Sequence, residues 1–175
     1  SSDLNPDITL SGTKTWKDYD NQEDTRPDSI TVEVLRGEKV VDTIEVKAVD
    51  GWKYTSKALT KYDENGQEIE YTVREKEVKG YTTTIDGTDI TSTLAKIPTI
   101  SLTGTLTWND VDNADEIRPD NVIISVVSSD STDTVARNKT IGKQQNGSYS
   151  WTYEFKNLPK YDDNILYEML ILESF

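Results

Sequence analysis

The chain repeats itself, and this limits its fold more than any other feature. "ITLSGTKTWKDYDNQEDTRPDSITVEV" (Ile8 to Val34) aligns without a gap on "ISLTGTLTWNDVDNADEIRPDNVIISV" (Ile100 to Val126), 92 positions further on. "WKYTSKALTKYDENGQEIEYTV" (Trp52 to Val73) aligns on "WTYEFKNLPKYDDNILYEM" (Trp151 to Met169), with three residues fewer near Asn164. A unit that recurs is one building block used twice, so the fold of one copy is the fold of the other. The boundary falls at "AKIPT" (Ala95 to Thr99). It divides the 175 residues into module one, residues 1–96, and module two, residues 97–175.

Each copy reads as all-β. Ile30, Val32 and Val34 alternate with Thr31 and Glu33, and Val122, Ile124 and Val126 repeat the pattern. "RGEK" (Arg36 to Lys39) and "YDENGQ" (Tyr62 to Gln67) read as turns between alternating runs, and no stretch has helical period. The expected fold is two tandem antiparallel β-sandwiches. Trp16 pairs by alignment with Trp108, and Trp52 with Trp151, which points to core packing; sugar stacking is the alternative. Module one runs 23 residues beyond Tyr71 to Leu94, whereas module two runs eight beyond Tyr167 to Phe175. Module two is therefore expected to lack the last strand. Its apolar ending, "MLILESF", should be buried or drive dimers or strand exchange. The sequence looks like a piece of something larger, ended by proteolysis or by design.

Composition removes several function classes. Formal net charge is −13, which argues against a nucleic-acid or anionic-membrane partner. With no cysteine there is no disulfide, zinc–thiolate site or thiol nucleophile, and with no histidine a Ser-His-Asp mechanism is impossible within the chain. No apolar run approaches the ~18 residues of a membrane span. No cofactor is expected, nor an enzyme acting on an external substrate.

Three polar residues stand where the alternation demands apolar ones. Ile8, Leu10, Gly12, Lys14 and Trp16 share a face, so Lys14 points at a core, where it must pair, lose its proton, react or snorkel outward. Ile69, Tyr71, Val73 and Glu75 share another face. Ser92 lies between Ile90 and Leu94 in "DITSTL". Lys14 aligns with Leu106. Counted from a Tyr71/Tyr167 match, Glu75 aligns with Ile171, so both charges become apolar together, as a buried pair would. A different gap placement would align Glu75 with Glu173 instead.

The motifs "GTKTW", "DYDNQEDTRPD", W-x-Y, "NLPKYDD" and "EYTVRE" resemble the B-type repeats of the collagen adhesin of Gram-positive cocci, the CnaB-like domains. The resemblance implies prealbumin-like (Ig-like) sandwiches from a surface adhesin or pilin. Many such domains form an intramolecular isopeptide bond from a first-strand lysine to a last-strand asparagine or aspartate, helped by a buried carboxylic acid. It therefore implies that Lys14 stands at the nucleophile position and Glu75 at the proton-shuttle position, with Ser92 in place of the asparagine. Serine has no acyl carbon to attack, so the site reads as degenerate. Asp89, three residues from Ser92, should face the other way, and would react only through a register shift.

The loops "DYDNQED" (Asp18 to Asp24) and "DVDNADE" (Asp110 to Glu116) gather carboxylates. Asp18, Asp20 and Asp24 are weak calcium candidates; the EF-hand glycine and terminal glutamate are missing, and a turn capped by Arg26 or Arg118 is expected instead. The functional expectation is a stalk segment of a secreted, wall-anchored surface protein, stiffened at Pro98. Its partners would be neighbouring repeats and, through other domains, host extracellular matrix. The alternative is a binding module for host protein or glycan.

Overall fold

The computed structural model describes residues 5–128, 135–142, 150–162, 165–166 and 169–174. The chain divides into two compact units, residues 1–96 and 97–175. Among the described residues, apart from two short 3-10 turns, the regular structure is strand. Module one contains β1 (Asp7–Ile8), β2 (Ser11–Lys17), β3 (Ser29–Arg36), β4 (Lys39–Lys47), β5 (Lys53–Thr55), β6 (Leu59–Thr60), β7 (Tyr71–Glu75), β8 (Tyr81–Asp86) and β9 (Asp89–Leu94). Module two contains β10 (Thr99–Thr107), β11 (Asn121–Ser128), β12 (Val135–Gly142), β13 (Ser150–Pro159), β14 (Tyr161–Asp162), β15 (Ile165–Leu166) and β16 (Met169–Ser174).

In module one a four-stranded sheet of order β5-β2-β9-β8 lies with a three-stranded sheet of order β4-β3-β7. Val32, Val34 and Val46 from the second sheet meet Tyr54 and Ile90 from the first in one buried cluster. The alternation seen in the sequence is the in–out alternation of these strands. One pairing differs from the antiparallel expectation. β9 runs parallel to β2, with Lys14 opposite Ile90 and Trp16 opposite Ser92. The tight β8–β9 hairpin, turning at Asp86 and Asp89, reverses the chain so that its last strand enters beside its first in the same direction.

Module two repeats the core with Val122, Ile124, Val126, Trp151, Phe155 and Leu158. Its sheets have the orders β10-β13 and β12-β11-β16. Among the described residues nothing occupies the β9 position beside β10, as the shorter repeat implies. The tryptophans are less uniform than expected. Trp151 is fully buried, whereas Trp16, Trp52 and Trp108 are half-buried. Each module nonetheless crosses its pair edge-to-face, Trp16 on Trp52 and Trp108 on Trp151, both with centroids 5.2 Å apart.

The motif pair GTxTW and WxY has a steric origin. A Cβ on Gly12 would stand 2.6 Å from the Tyr54 hydroxyl oxygen and 2.7 Å from its ring, and Gly104 meets Tyr153 in the same way. The tyrosine of WxY lies across the glycine of the facing strand, which leaves no room for a side chain there.

Candidate functional site

The polar site of module one is assembled from four strands. β2 supplies Lys14, β7 supplies Glu75, β8 supplies Thr83 and β9 supplies Ser92. The Lys14 and Glu75 side chains are wholly shielded from solvent, and Ser92 is completely buried. Lys14 Nζ donates to Glu75 Oε2 and to Ser92 Oγ. Ser92 Oγ in turn donates to Glu75 Oε1 at 2.8 Å, and Thr83 Oγ1 donates to the same oxygen at 2.7 Å. The Trp16 ring lies with its centroid 4.2 Å from Lys14 Nζ, so the cation meets a carboxylate, a hydroxyl and a π face. Burial lowers the Lys14 pKa; the hydrogen bond and charge of Glu75 pull it part of the way back.

This arrangement brings together the three residues singled out in the sequence and adds Thr83. Thr83 was missed because nothing in "YTTTID" sets it apart from Thr82 and Thr84, and it is itself an exposed residue of β8. Asp89 is elsewhere, exposed at the start of β9, where its Oδ1 accepts from Thr13 N at 3.0 Å. Burial, together with the nearby Asp89 charge, pushes the Tyr54 hydroxyl up to about 12, so it remains a donor, here to Thr88 O.

Module two corrects one alignment. In module one Val32 pairs with Glu75 and Val34 with Val73. In module two Ile124, the equivalent of Val32, pairs with Glu173, and Val126 pairs with Ile171. Glu173, not Ile171, therefore holds the register position of Glu75. Tyr167, from which the other alignment was counted, lies outside the described residues. The lysine is replaced by Leu106, but the glutamate position is kept, so the two charges are not exchanged as a pair.

The acidic loops share a second arrangement. Arg26 forks onto Asp18, Nε to Oδ2 at 3.0 Å and Nη2 to Oδ1 at 2.6 Å. Arg118 does the same to Asp110 at 2.8 and 2.6 Å. Asp18 also accepts from Tyr81 OH at 2.9 Å and from Asn21 N at 3.2 Å. Burial pushes the Asp18 pKa up, but the bonds from Arg26, Tyr81 and Asn21 outweigh it and hold the carboxyl below its usual range. Asp18 thus serves as the anchor of an arginine-capped turn. Among the described residues no cluster of three or more His, Cys, Asp or Glu side chains is placed to hold a metal.

The sequence model of the Cna protein B-type domain matches residues 10–93 and again residues 102–171. The chain belongs to that family. Among curated proteins it is 40% identical over 150 residues to a collagen adhesin of Staphylococcus aureus; the match spans 84% of this chain and 12% of that much longer protein. Among solved structures it resembles two B repeat units (B1B2) of the S. aureus collagen binding protein, with 31% identity and a TM-score of 0.50, over 97% of this chain and 43% of that one. It also resembles a single B repeat unit (B1) of that protein, with 30% identity and a TM-score of 0.49, over 95% and 85%. Both B-type matches include the glycine, paired tryptophans and arginine-capped acidic turn described above. Lys14, Glu75 and Ser92 all fall inside the first match, Leu106 inside the second.

Proposed function

We propose that this chain is a pair of structural spacer repeats from a bacterial surface adhesin or pilin, displayed outside the cell and anchored to the wall. It would hold a more distal binding region away from the surface, with neighbouring repeats as its immediate partners. Two tandem B-type modules, 40% identical to part of a collagen adhesin, support this reading. In module one we read Lys14, Glu75 and Ser92 as a degenerate isopeptide site held as an ion pair. The observation that carries it is the Lys14 Nζ contact with Ser92 Oγ, where an amide-forming reaction needs an acyl carbon.

Intact mass spectrometry tests the chemistry. An amide from an asparagine would remove about 17 Da as ammonia, and one from a carboxyl about 18 Da as water; neither loss should appear. Ser92→Asn restores the acyl group beside a lysine whose pKa burial already lowers, and should then lose ammonia spontaneously. A shortened parent mass would sink the inert-site reading. The spacer role is tested by surface display: deleting both modules should shorten the reach of the parent protein without abolishing ligand capture. Loss of capture by a full-length-matched deletion would favour a binding module for host protein or glycan.

A further inference from the structure

Each module ties the edges of its two sheets together with one charged side chain, and the two modules do it with opposite chemistry. β4 lies beside β5 in module one, and β12 beside β13 in module two. Asp42 stands in β4 opposite Val34, and Arg137 in β12 opposite Val126. Val34 and Val126 align, so Asp42 and Arg137 hold one position. In module one the bond runs from backbone to side chain: Lys57 N donates to Asp42 Oδ2 at 2.8 Å. In module two it runs from side chain to backbone. Arg137 Nη1 donates to Lys156 O, and Nη2 to Asn157 O at 3.4 Å. Lys57 and Lys156 are equivalent by the alignment of Trp52 on Trp151.

Two further exchanges accompany the inversion. Ser56 Oγ donates to Lys57 O at 2.8 Å, so this carbonyl is already served in module one. Its equivalent, Phe155, has no hydroxyl, and Lys156 O is left to Arg137. Lys139 Nζ donates to Glu154 O at 2.9 Å, where module one has Ile44. The cores behind these seams differ far less. β3 buries Ile30, Val32 and Val34 with Val46 of β4; β11 buries Val122, Ile124 and Val126 with Ile141 of β12. Swaps among aliphatic side chains of such similar volume are well tolerated. Apolar packing therefore discriminates little between a β3–β4 and a β11–β12 hairpin, and strand exchange is a characteristic failure of repeat proteins.

We propose that Asp42 and Arg137 are polarity keys that keep the β3–β4 hairpin of one copy of the chain from taking the place of β11–β12 in another, and the reverse. Seated in module two, Asp42 would aim its carboxylate at the two carbonyl oxygens that now accept from Arg137. Seated in module one, Arg137 would aim its N–H groups at the Lys57 N–H, with the Lys57 carbonyl already taken by Ser56. Each crossed seating sets like against like and forfeits the native bonds, and only the correct seating satisfies both partners. Asp42 is half-buried and Arg137 exposed, so packing does not dictate either residue. The proposal rests on the internal repeat and is independent of the spacer reading.

The test reverses both keys in the full chain. In Asp42→Arg with Arg137→Asp each module carries the wrong key, the crossed seating carries the right ones, and net charge is unchanged. The protein is unfolded in urea, refolded at high concentration and weighed by native mass spectrometry. The parent should return as a monomer. The double reversal should raise the dimer fraction by about tenfold or more. Asp42→Ala with Arg137→Met removes both keys and should give a smaller rise. Exchange requires opening, so dimers should form on refolding and not on concentrating the folded monomer. A double reversal as monomeric as the parent would overturn the proposal. So would a neutral pair that dimerises as much as the reversal, or dimers that form without unfolding. If the reversal does not refold, the neutral pair decides: more dimer than the parent supports the keys, and parent-like monomer refutes them.

Discussion

Alternation alone made it legible that Lys14, Glu75 and Ser92 turn inward, because strand parity fixes which side chains face the core; that they meet was read from the family resemblance and from a paired exchange to Leu106 and Ile171 that the β11–β16 register overturns. Which residue replaces Glu75 in module two was not legible, because three deleted residues can be placed several ways and only the β11–β16 register chooses Glu173. That register changes the expected behaviour of a substitution. Lys14→Leu alone copies module two at this point. It leaves Glu75 buried with Ser92 and Thr83 as its hydrogen-bond partners but without a cation. At about pH 8 the cost should be about 3–5 kcal/mol, the range for breaking a buried pair from one side. Urea unfolding of the variant measures this cost, and a cost near zero would mean that the carboxylate finds another partner.

At the scale of the element, the acidic turns show what composition can and cannot reveal. Clustered aspartates without the EF-hand glycine and glutamate read as a turn capped by Arg26 or Arg118, and the bidentate arginine geometry is that cap. The backbone was not legible at all. Tyr19, Asp20 and Asn21 all have positive φ, and so do their equivalents Val111, Asp112 and Asn113. A left-handed conformation suits Asn or Asp but not a β-branched residue. Val111 has φ 53° and is 85% exposed, so it bears the strain with almost no packing in return. Val111→Asn should raise the stability of module two by about 1 kcal/mol, since the left-handed penalty is about 1–2 kcal/mol per residue; a decrease in melting temperature would refute the strain argument. Asp18 makes the opposite case. Its carboxyl is held below the ordinary 3.8, so the stability it contributes is present above that value and lost as pH falls through the folded one. Asp18→Asn should cost about 2–3 kcal/mol at neutral pH, the scale of hydrogen bonds to a charged group, and should flatten the acid limb of the stability curve. Asp110→Asn should cost less, because Asp110 lacks the Tyr81 bond and is more exposed. Equal costs would place the stabilisation in the arginine fork alone.

At the scale of the whole chain, the repeat made the two-fold division, the sandwich class and both cores readable before any coordinates. The parallel β2–β9 pairing was not, because parity says which face a residue takes and nothing about strand direction. Two cores built from different strands have a thermodynamic consequence. Ile90 is 0% exposed in the first and Ile124 is 1% exposed in the second, and neither cluster includes residues of the other module. Substitutions that far apart in the contact network should add independently. Heat unfolding should therefore resolve two transitions rather than one. Ile90→Ala and Ile124→Ala each delete buried methyl groups at a cost of about 2–5 kcal/mol. For a domain of this size each kcal/mol moves a midpoint by about 4–8 °C, so each variant should shift one transition by about 10 °C or more. The other transition should stay in place. Among the described residues the first sheet of module two has two strands where that of module one has four, so its transition should come at the lower temperature, and Ile124→Ala should move that one. A single transition displaced equally by both substitutions would mean the cores unfold as one cooperative unit. A lower transition that answers to Ile90→Ala would mean that the smaller first sheet costs module two little.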